Sequence, residues 1–255
     1  MSLSVPLTTL LALLLGSVRA AAWLAICPPF NGRGLPVRAK ALLSIGLALP
    51  FTDHLATTMP RTITSAGLLT DVAEQVVVGA ALGFCTYLFV IALQSAGSLL
   101  DLFGGFALAF SFDPFSYTGN AILGRVYNLT ATTLLLATDA HQLILAGFAR
   151  SYRALPPTGT LSLERLSRLL SDGIGEMFLA ALQISGPLIA VLFLTDLAFG
   201  LLSRVAPSLN AFGLGFPAKI LLTLVLAGTA MRFLPETVAR LTEQAVGAVL
   251  ELLGG

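Results

Sequence analysis

Apolar residues dominate the chain in six stretches, and short connections rich in proline and glycine separate them. The stretches run approximately from Leu3 to Phe30, Ala41 to Thr52, Val76 to Leu100, Ala121 to Phe148, Met177 to Leu202 and Phe216 to Leu234. Apolar runs of this kind predict helices in a membrane. The pattern therefore predicts an all-α chain, which a conventional hydropathy interpretation describes as six transmembrane helices.

The spacing of charged residues argues against six full spans. A helix rises 1.5 Å per residue, so crossing a hydrocarbon core of about 30 Å takes about 20 residues. The uncharged segments 2–18, 75–100 and 177–195 meet or approach that length. Three others form helices of only about 18–20 Å, namely 41–52, 126–138 and 220–231. Snorkelling charges, hairpins that cross half of the membrane and burial against other protein are the three explanations that stay open.

Basic residues also fail to give a consistent orientation. Cytoplasmic loops normally carry the excess of Lys and Arg. With six spans in simple alternation, two basic clusters fall on opposite sides of the membrane, namely Arg33, Arg38 and Lys40 in one and Arg150, Arg153, Arg165 and Arg168 in the other. Either one segment does not cross, or the chain does not occupy the bilayer in the ordinary way.

Composition supports a membrane location and argues against nucleic acid as a partner. Hydrophobic residues make up 56% of the 255 residues and charged residues 11%, against about 25% charged in soluble domains. The net charge of +1 provides no basic surface for phosphates. The first 22 residues lack the basic start of a signal peptide, so we expect them to remain as the first helix.

Sequence motifs for catalysis, metal binding or cofactor binding are missing. The chain contains no phosphate loop, H-E-x-x-H, C-x-x-C or G-x-S-x-G motif. Asp139 and His141 lie two positions apart, so on a helix they point to different faces. Cys27 and Cys85 lie in apolar segments, as buried thiols do. We therefore expect no enzyme activity, no metal and no cofactor.

Two polar segments stand out in what we expect to be a single membrane-embedded domain, 1–255. Segment 155–172 is predicted to be an aqueous loop, with a short amphipathic helix from Ser162 onwards. Segment 236–255 is predicted to be an amphipathic C-terminal helix. Its apolar face consists of Val238, Leu241, Ala245, Val249 and Leu252. This helix either lies in the membrane interface or binds a partner, and the sequence favours neither.

Gly79 and Gly83 form a G-x-x-x-G pair in the uncharged segment 75–100. Small residues at this spacing let two helix backbones approach closely. We therefore predict that this face packs against another helix. The pattern is common in membrane helices, so it indicates packing and no particular function.

The most informative segment is the aromatic stretch from Asp101 to Tyr117. Gly104-Gly105 gives its backbone freedom, and Asp113-Pro114 forces a bend. Such a segment suits a plug in a narrow passage, because bulky rings exclude water and a dry constriction blocks ions. A buried hairpin corner that packs its own aromatic rings is the alternative. The candidate plug residues are Gly104, Gly105, Phe106, Phe110, Phe112, Asp113, Pro114 and Phe115.

Several motifs occur in the order and spacing of one known family. They are Ser95–Asp101, Gly105–Ala109 and Asp113-Pro114; Asp139–His141, Ser151-Tyr152 and Leu155-Pro156; Arg204, Pro207, Asn210, Phe212, Gly215, Phe216, Pro217 and Lys219; and, near the start, Leu35–Lys40. Each motif alone is weak, but the ordered set covers approximately residues 15–235 and resembles the FliR family of flagellar and type III protein-export gates. Ser98, Leu108 and Ser208 depart from the pattern, because the family often has Gln, Met and Gln there.

The resemblance implies a subunit of the export gate in the bacterial inner membrane, at the flagellar basal body. Members assemble with FliP-like and FliQ-like subunits into a helical ring of bent helical hairpins, and a FlhB-like protein wraps its entrance. Unfolded exported proteins pass through the ring. In that setting we expect many apolar segments to pack on partner subunits above the lipid plane instead of spanning the bilayer. The resemblance also implies that Gly105 to Tyr117 plugs the pore, with Gly104-Gly105 as its hinge, and that Arg204 to Lys219 forms an assembly motif.

Three other functions are considered. One is the gate of a virulence-type injectisome, which the residues do not separate from a flagellar gate. Another is a small-solute transporter with a helix broken at Gly186-Pro187 and Asp196 as coupling acid, although no internal repeat is evident and Asp196 is better explained by packing or assembly. The last is an intramembrane hydrolase that uses His54 or His141, for which the sequence supplies no nucleophile.

Overall fold

The computed structural model describes residues 6–32, 34–59, 64–106, 121–157, 159, 162–206 and 211–252, and for 211–212 and 250–252 the backbone only. Every regular element within these ranges is helical. The α-helices are α1 Leu7–Ile26, α2 Val37–Ala48, α3 Thr52–Thr57, α4 Ser65–Phe103, α5 Ile122–Ala137, α6 Ala140–Ala154, α7 Leu163–Val205, α8 Ala211–Ala230 and α9 Leu234–Leu252. Short 3₁₀ turns at Leu49–Phe51 and Met231–Phe233 join α2 to α3 and α8 to α9.

Four helical stretches are long and apolar enough to cross a membrane, namely Leu7–Ile26, Ser65–Phe103, Leu163–Val205 and Gly213–Val249. The chain is therefore an all-α membrane protein, as predicted, with four candidate spans in the described ranges in place of six. Helix α5 has 16 residues and α2 has 12, so both stay short. The short uncharged segment 220–231 is part of a longer helical stretch, because α8 continues through a 3₁₀ turn into α9.

Two of the helices greatly exceed the thickness of a bilayer. Helix α4 has 39 residues and α7 has 43, which corresponds to lengths of about 58 and 65 Å. Pro187 lies inside α7, so the predicted interruption at Gly186-Pro187 is wrong. Membrane helices tolerate proline because neighbouring groups satisfy the freed carbonyl. A transporter-like broken helix is thus missing at this position.

The tertiary contacts divide the chain into two compact units, where the sequence suggested one domain. The first unit comprises Met1–Phe89, Asp139–Ile174 and Leu241–Gly255, and the second comprises Val90–Thr138 and Gly175–Arg240. Helices α4, α7 and α9 each contribute residues to both units. The first unit holds the N-terminal helices, and the second holds both ends of the predicted plug.

A buried arginine organises the first unit. The Arg19 side chain on α1 is fully buried, and its guanidinium donates to Gln75 Oε1 on α4 at 2.7 Å and to the backbone oxygens of Ser151 and Leu155 at 2.8 Å. Both carbonyls belong to the C-terminal end of α6, where the helix dipole favours a cation. Gln75 in turn donates to the backbone oxygen of Pro157 at 2.9 Å. A single charged side chain thereby joins three helices, and its hydrogen bonds offset the cost of burying it.

Aromatic rings fill the space around this arginine. The rings of Trp23 and Phe148 stack with centroids 4.4 Å apart, and Phe148 meets Tyr152 edge to face at 5.3 Å. The Tyr152 hydroxyl donates to the Gly16 oxygen at 2.7 Å. Burial raises the pKa of the Tyr152 phenol well above its ordinary value, against the opposing effect of the nearby guanidinium charge. The phenol therefore stays protonated and remains a hydrogen-bond donor.

The apolar face of the C-terminal helix is covered by the chain itself. Within α9, the predicted apolar positions Val238, Leu241, Ala245 and Val249 are buried, and Glu236, Arg240 and Glu243 are exposed. In the first unit, Ala245 and Val249 border a small cavity together with Trp23 and Phe148. The predicted amphipathicity is present, and from Leu241 onwards the apolar face packs within the first unit.

The predicted polar loop 155–172 is only partly a loop. Helix α7 begins at Leu163, directly after the predicted N-cap Ser162. The backbone oxygen of Ser162 accepts a hydrogen bond from the Leu166 amide at 3.0 Å. Exposed Glu164 and Arg168 form an ion pair one turn apart. The predicted short amphipathic helix is therefore the start of a 43-residue helix.

Gly79 and Gly83 lie on the side of α4 that faces α1. A Cβ atom on Gly79 would collide with the Arg19 carbonyl oxygen, and one on Gly83 would lie 3.0 Å from the Trp23 oxygen and from Ile26 Cβ. The two helix backbones therefore approach each other more closely than side chains would permit. Gly79 lies directly against the backbone of Arg19, whose side chain binds the end of α6, so this approach also sets the position of the guanidinium.

We predict that Gly79→Ala destabilises the chain by about 1–3 kcal/mol, because the added methyl group forces α1 and α4 apart. The matched control is Gly46→Ala on α2, where nothing lies within 4 Å of the new atom and alanine stabilises a helix by about 0.5–1 kcal/mol. Thermal unfolding in detergent, followed by size-exclusion chromatography, measures both. Equal midpoints for the two variants would contradict the close approach.

Candidate functional site

The C-terminal part of α4 and helix α5 form an antiparallel hairpin in the second unit. Its arms approach at backbone distance, because a Cβ on Gly97 would lie 2.6 Å from the Leu123 oxygen and 2.8 Å from Gly124 Cα. Further from the tip, Asn128 Nδ2 donates to Gln94 Oε1 at 2.9 Å. The predicted plug segment connects the two arms at the tip of this hairpin.

Asp101 connects the arms at the tip. Its side chain is 4% exposed, and its two carboxylate oxygens accept the backbone N–H groups of Leu123 at 3.1 Å and Gly124 at 3.0 Å. These amides belong to the first turn of α5, which has no partner for them within the helix. The N-cap residue of α5, Ala121, has no side-chain acceptor. A carboxylate from α4 therefore performs the capping role for α5.

The predicted hinge lies where α4 ends. The Gly104 amide donates to the Leu100 oxygen at 2.7 Å, and a Cβ on Gly104 would lie 2.6 Å from the Thr223 side chain of α8. Gly105 has φ +87°, in the left-handed region that favours glycine, and a Cβ there would lie 3.3 Å from the Phe216 ring. Both hinge glycines thus lie against α8, and neither position accommodates a side chain readily.

Of the eight candidate plug residues, the structure describes Gly104, Gly105 and the half-buried Phe106. The other five lie outside the described residues, namely Phe110, Phe112, Asp113, Pro114 and Phe115. The plug role stays a prediction.

The candidate assembly motif lies at the end of α7 and along the first half of α8. Gly215 lies against α7, because a Cβ on this glycine would lie 3.1 Å from the Phe199 ring. Arg204 is exposed near the end of α7, and Pro217 lies inside α8. Pro207 and Asn210 are outside the described residues, as is the side chain of Phe212. The structure brings Phe216 to the hinge, whereas Gly79 and Gly83 belong to the first unit.

Lys219 from the same motif forms an ion pair with Asp196. Its Nζ lies 2.6 Å from both carboxylate oxygens, and the two side chains are 16% and 50% exposed. Asp196 belongs to the apolar helix α7, where an unpaired charge at the centre of a membrane would cost about 2.5–3.5 kcal/mol. The pair neutralises both charges and joins α7 to α8. This favours a packing role for Asp196 over that of a coupling acid.

The chain matches the family described as bacterial export proteins, family 1, over residues 10–245. It belongs to that family. The resemblance inferred from its motifs is confirmed.

Three relatives show how much of this export-family chain the similarity covers. It is 29% identical to the flagellar biosynthetic protein FliR of Bacillus subtilis strain 168 over 252 residues, which cover 95% of this chain and 96% of that protein. It is 29% identical to FliR of Escherichia coli K12 over 239 residues, or 92% and 88% of the two chains. It is also 29% identical to the surface presentation of antigens protein SpaR of Shigella flexneri, over 151 residues, or 59% and 58%.

One motif of this export protein has a direct conformational explanation. Asp139, in the Asp-x-His motif, has φ 57° and precedes α6. Asp, Asn and Gly adopt the left-handed region most readily. Asp139 therefore allows the backbone to turn between α5 and α6. Its carboxylate accepts a hydrogen bond from the Gln142 side chain at 3.0 Å. In the described ranges, no group of three His, Cys, Asp or Glu residues is placed to hold a metal ion.

Three residues that shape the site of this export protein were given no structural role from the sequence, namely Asp101, Phe199 and Thr223. Asp101 was visible as the charge that ends the uncharged segment 75–100. An ionisable residue at the end of an apolar run is a signal for a buried partner. That partner is backbone N–H, however, which has no signature in a sequence.

We predict that Asp196→Ala and Lys219→Ala each reduce the amount of folded protein, because each leaves one charge unpaired in apolar surroundings. The double variant should lose less stability than the sum of the losses in the two single variants, with a coupling energy of about 0.5–3 kcal/mol. Thermal unfolding of all four proteins in detergent gives this double-mutant cycle.

The pair Glu164 and Arg168 provides the control, because it lies on α7 as well but is largely exposed. Exposed pairs one helical turn apart contribute little, so the same cycle there should show almost no coupling. Additive losses at Asp196 and Lys219 would contradict the role of the ion pair.

Proposed function

We propose that this chain is a subunit of the export gate of the flagellar type III secretion apparatus, in the bacterial inner membrane at the basal body. The observation that carries the proposal is the match to flagellar FliR proteins over nearly the full length of both chains. The family, the four candidate spans and the hairpin with a hinge at its tip support it. Unfolded exported proteins are the proposed substrates.

The apolar surface supports assembly with other subunits. We compare the most apolar 18 residues of each long helix. Of these, 67% are buried within the chain in α4, but only 22% in α7 and 17% in the stretch Gly213–Val249. On α7, Phe178, Phe193 and Leu194 are more than half exposed. Because α7 is about 65 Å long, lipid alone covers only part of it. We assign the rest of this surface to FliP-like and FliQ-like subunits in a helical ring, with a FlhB-like protein at the entrance.

The segment from Gly105 to Tyr117 is proposed to plug the passage through this ring. Its aromatic side chains would form a dry barrier to ions while the gate is idle. Support comes from its base, because Gly104 and Gly105 lie against α8 and Asp101 fixes the start of α5. Both ends of the segment are thus held on helices, as a barrier at a defined place requires.

We predict that deleting Phe106–Phe115 leaves the gate assembled but makes membranes that contain it leaky to ions. Replacing Phe106, Phe110, Phe112 and Phe115 by Ser should have the same effect, whereas replacing them by Leu keeps apolar bulk and should keep the barrier. Conductance in planar bilayers containing the purified complex measures the leak. An assembled deletion variant that conducts no more than the native complex would refute the plug.

A virulence-type gate is the second candidate, because SpaR is equally identical over the 151 residues that it matches. The flagellar assignment predicts that cells lacking this chain lose flagellar filaments and recover them when the gene is restored. Mild detergent should extract the chain together with subunits of different sequence. Normal filaments in the deletion strain would exclude the flagellar gate, and a chain that is extracted alone would favour the transporter.

A further inference from the structure

Asp101 differs from an ordinary helix cap in where it comes from. A cap is normally the residue that precedes its own helix, which for α5 is Ala121. Here the carboxylate belongs to α4 and lies three residues before the hinge at Gly104. Both of its oxygens are used, at 3.1 Å and 3.0 Å from the two amides, and the group is buried. The interaction therefore connects two helices in addition to satisfying one of them.

The surroundings leave this carboxylate little freedom. Gly97 and Gly124 allow the two arms to touch at the backbone, and a Cβ on Gly124 would lie 2.5 Å from Ser98 Oγ. On the other side of the hinge, Gly104 and Gly105 lie against α8. The chain thus leaves α4 and enters α5 at two positions that are fixed relative to each other.

We propose that Asp101 is a positioning residue of the gate, whose carboxylate clamps the start of α5 to the end of α4 and so holds the two ends of the segment between them at a fixed separation. The role in the gate rests on the proposed function. The clamp itself is a property of the hairpin and is tested without it. Charge-assisted hydrogen bonds in apolar surroundings are among the stronger ones in proteins, which suits a clamp.

Asp101→Asn removes the charge and one of the two acceptor oxygens while keeping the shape of the side chain. We expect the exchange of the Leu123 and Gly124 amides with deuterium to become about tenfold faster, because a hydrogen bond to a charged group is lost. We also expect a wider distribution of distances across the tip. Spin labels at the exposed positions Leu102 and Ile122 report it by electron paramagnetic resonance in the full-length chain, with buried Cys27 and Cys85 replaced by Ala.

A second variant separates a clamp from a cap. Ala121→Asp supplies α5 with a cap of its own, at the position where helices normally carry one. Added to Asp101→Asn, it should restore the thermal stability of the chain but leave the distance distribution wide, because a local cap does not reach α4. Asp172→Asn serves as the control, since this aspartate is exposed on α7, and it should leave both measurements unchanged.

Two results from the variants would overturn the clamp. One is an unchanged distance distribution in Asp101→Asn, and the other is a return to the native distribution when Ala121→Asp is added. If Asp101→Asn yields no folded protein, amide exchange in the native chain tests the clamp instead. A clamp requires slow exchange of the Leu123 and Gly124 amides, so fast exchange would refute it. In the assembled gate, Asp101→Asn should raise ion conductance. If deletion of the plug segment causes no leak, the plug role is refuted but the clamp is not, because the distance measurement tests the clamp independently.

Discussion

The structure depends on satisfying polar groups where water is scarce. An unpaired buried amide or carbonyl costs free energy comparable to a lost hydrogen bond, and the ends of helices are where such groups occur. Each unit solves this with one charged side chain from a neighbouring helix. Arg19 donates to carbonyl oxygens at the C-terminal end of α6, and Asp101 accepts amides at the N-terminal end of α5. The sign of each charge is the one that the helix dipole favours.

Close helix approach makes both interactions possible. Gly79 and Gly83 let α1 lie against α4, and Gly97 and Gly124 let α4 lie against α5. The first pair was predictable, because its spacing puts both glycines on one face of one helix. The second pair was not, since one glycine lies on each helix and only the folded hairpin brings them together. Spacing within a helix is visible in a sequence, but pairing between helices is not.

The same distinction separates the features that were predicted from those that were not. The length and composition of the apolar segments were sufficient to predict an all-α membrane protein. The periodicity of 236–255 was sufficient to predict which described positions of α9 are buried. What covers that face was not predictable, because amphipathicity specifies a face and says nothing of its partner. Pro187 was misleading, since its effect depends on neighbours that satisfy the freed carbonyl. Arg19 and Asp101 were visible as charges, but their backbone partners carry no sequence signal.

Anchoring through backbone atoms has a consequence for the tip of the hairpin. Asp101 binds the amides of Leu123 and Gly124, which every non-proline residue would present, so the interaction makes few demands on side chains in α5. The demands fall instead on Asp101 and on the glycines that leave room for it. The residues that hold the two ends of the segment therefore lie outside it. The hairpin separates the task of positioning from the task of forming a barrier. The first requires a few small or charged residues, and the second requires only apolar bulk.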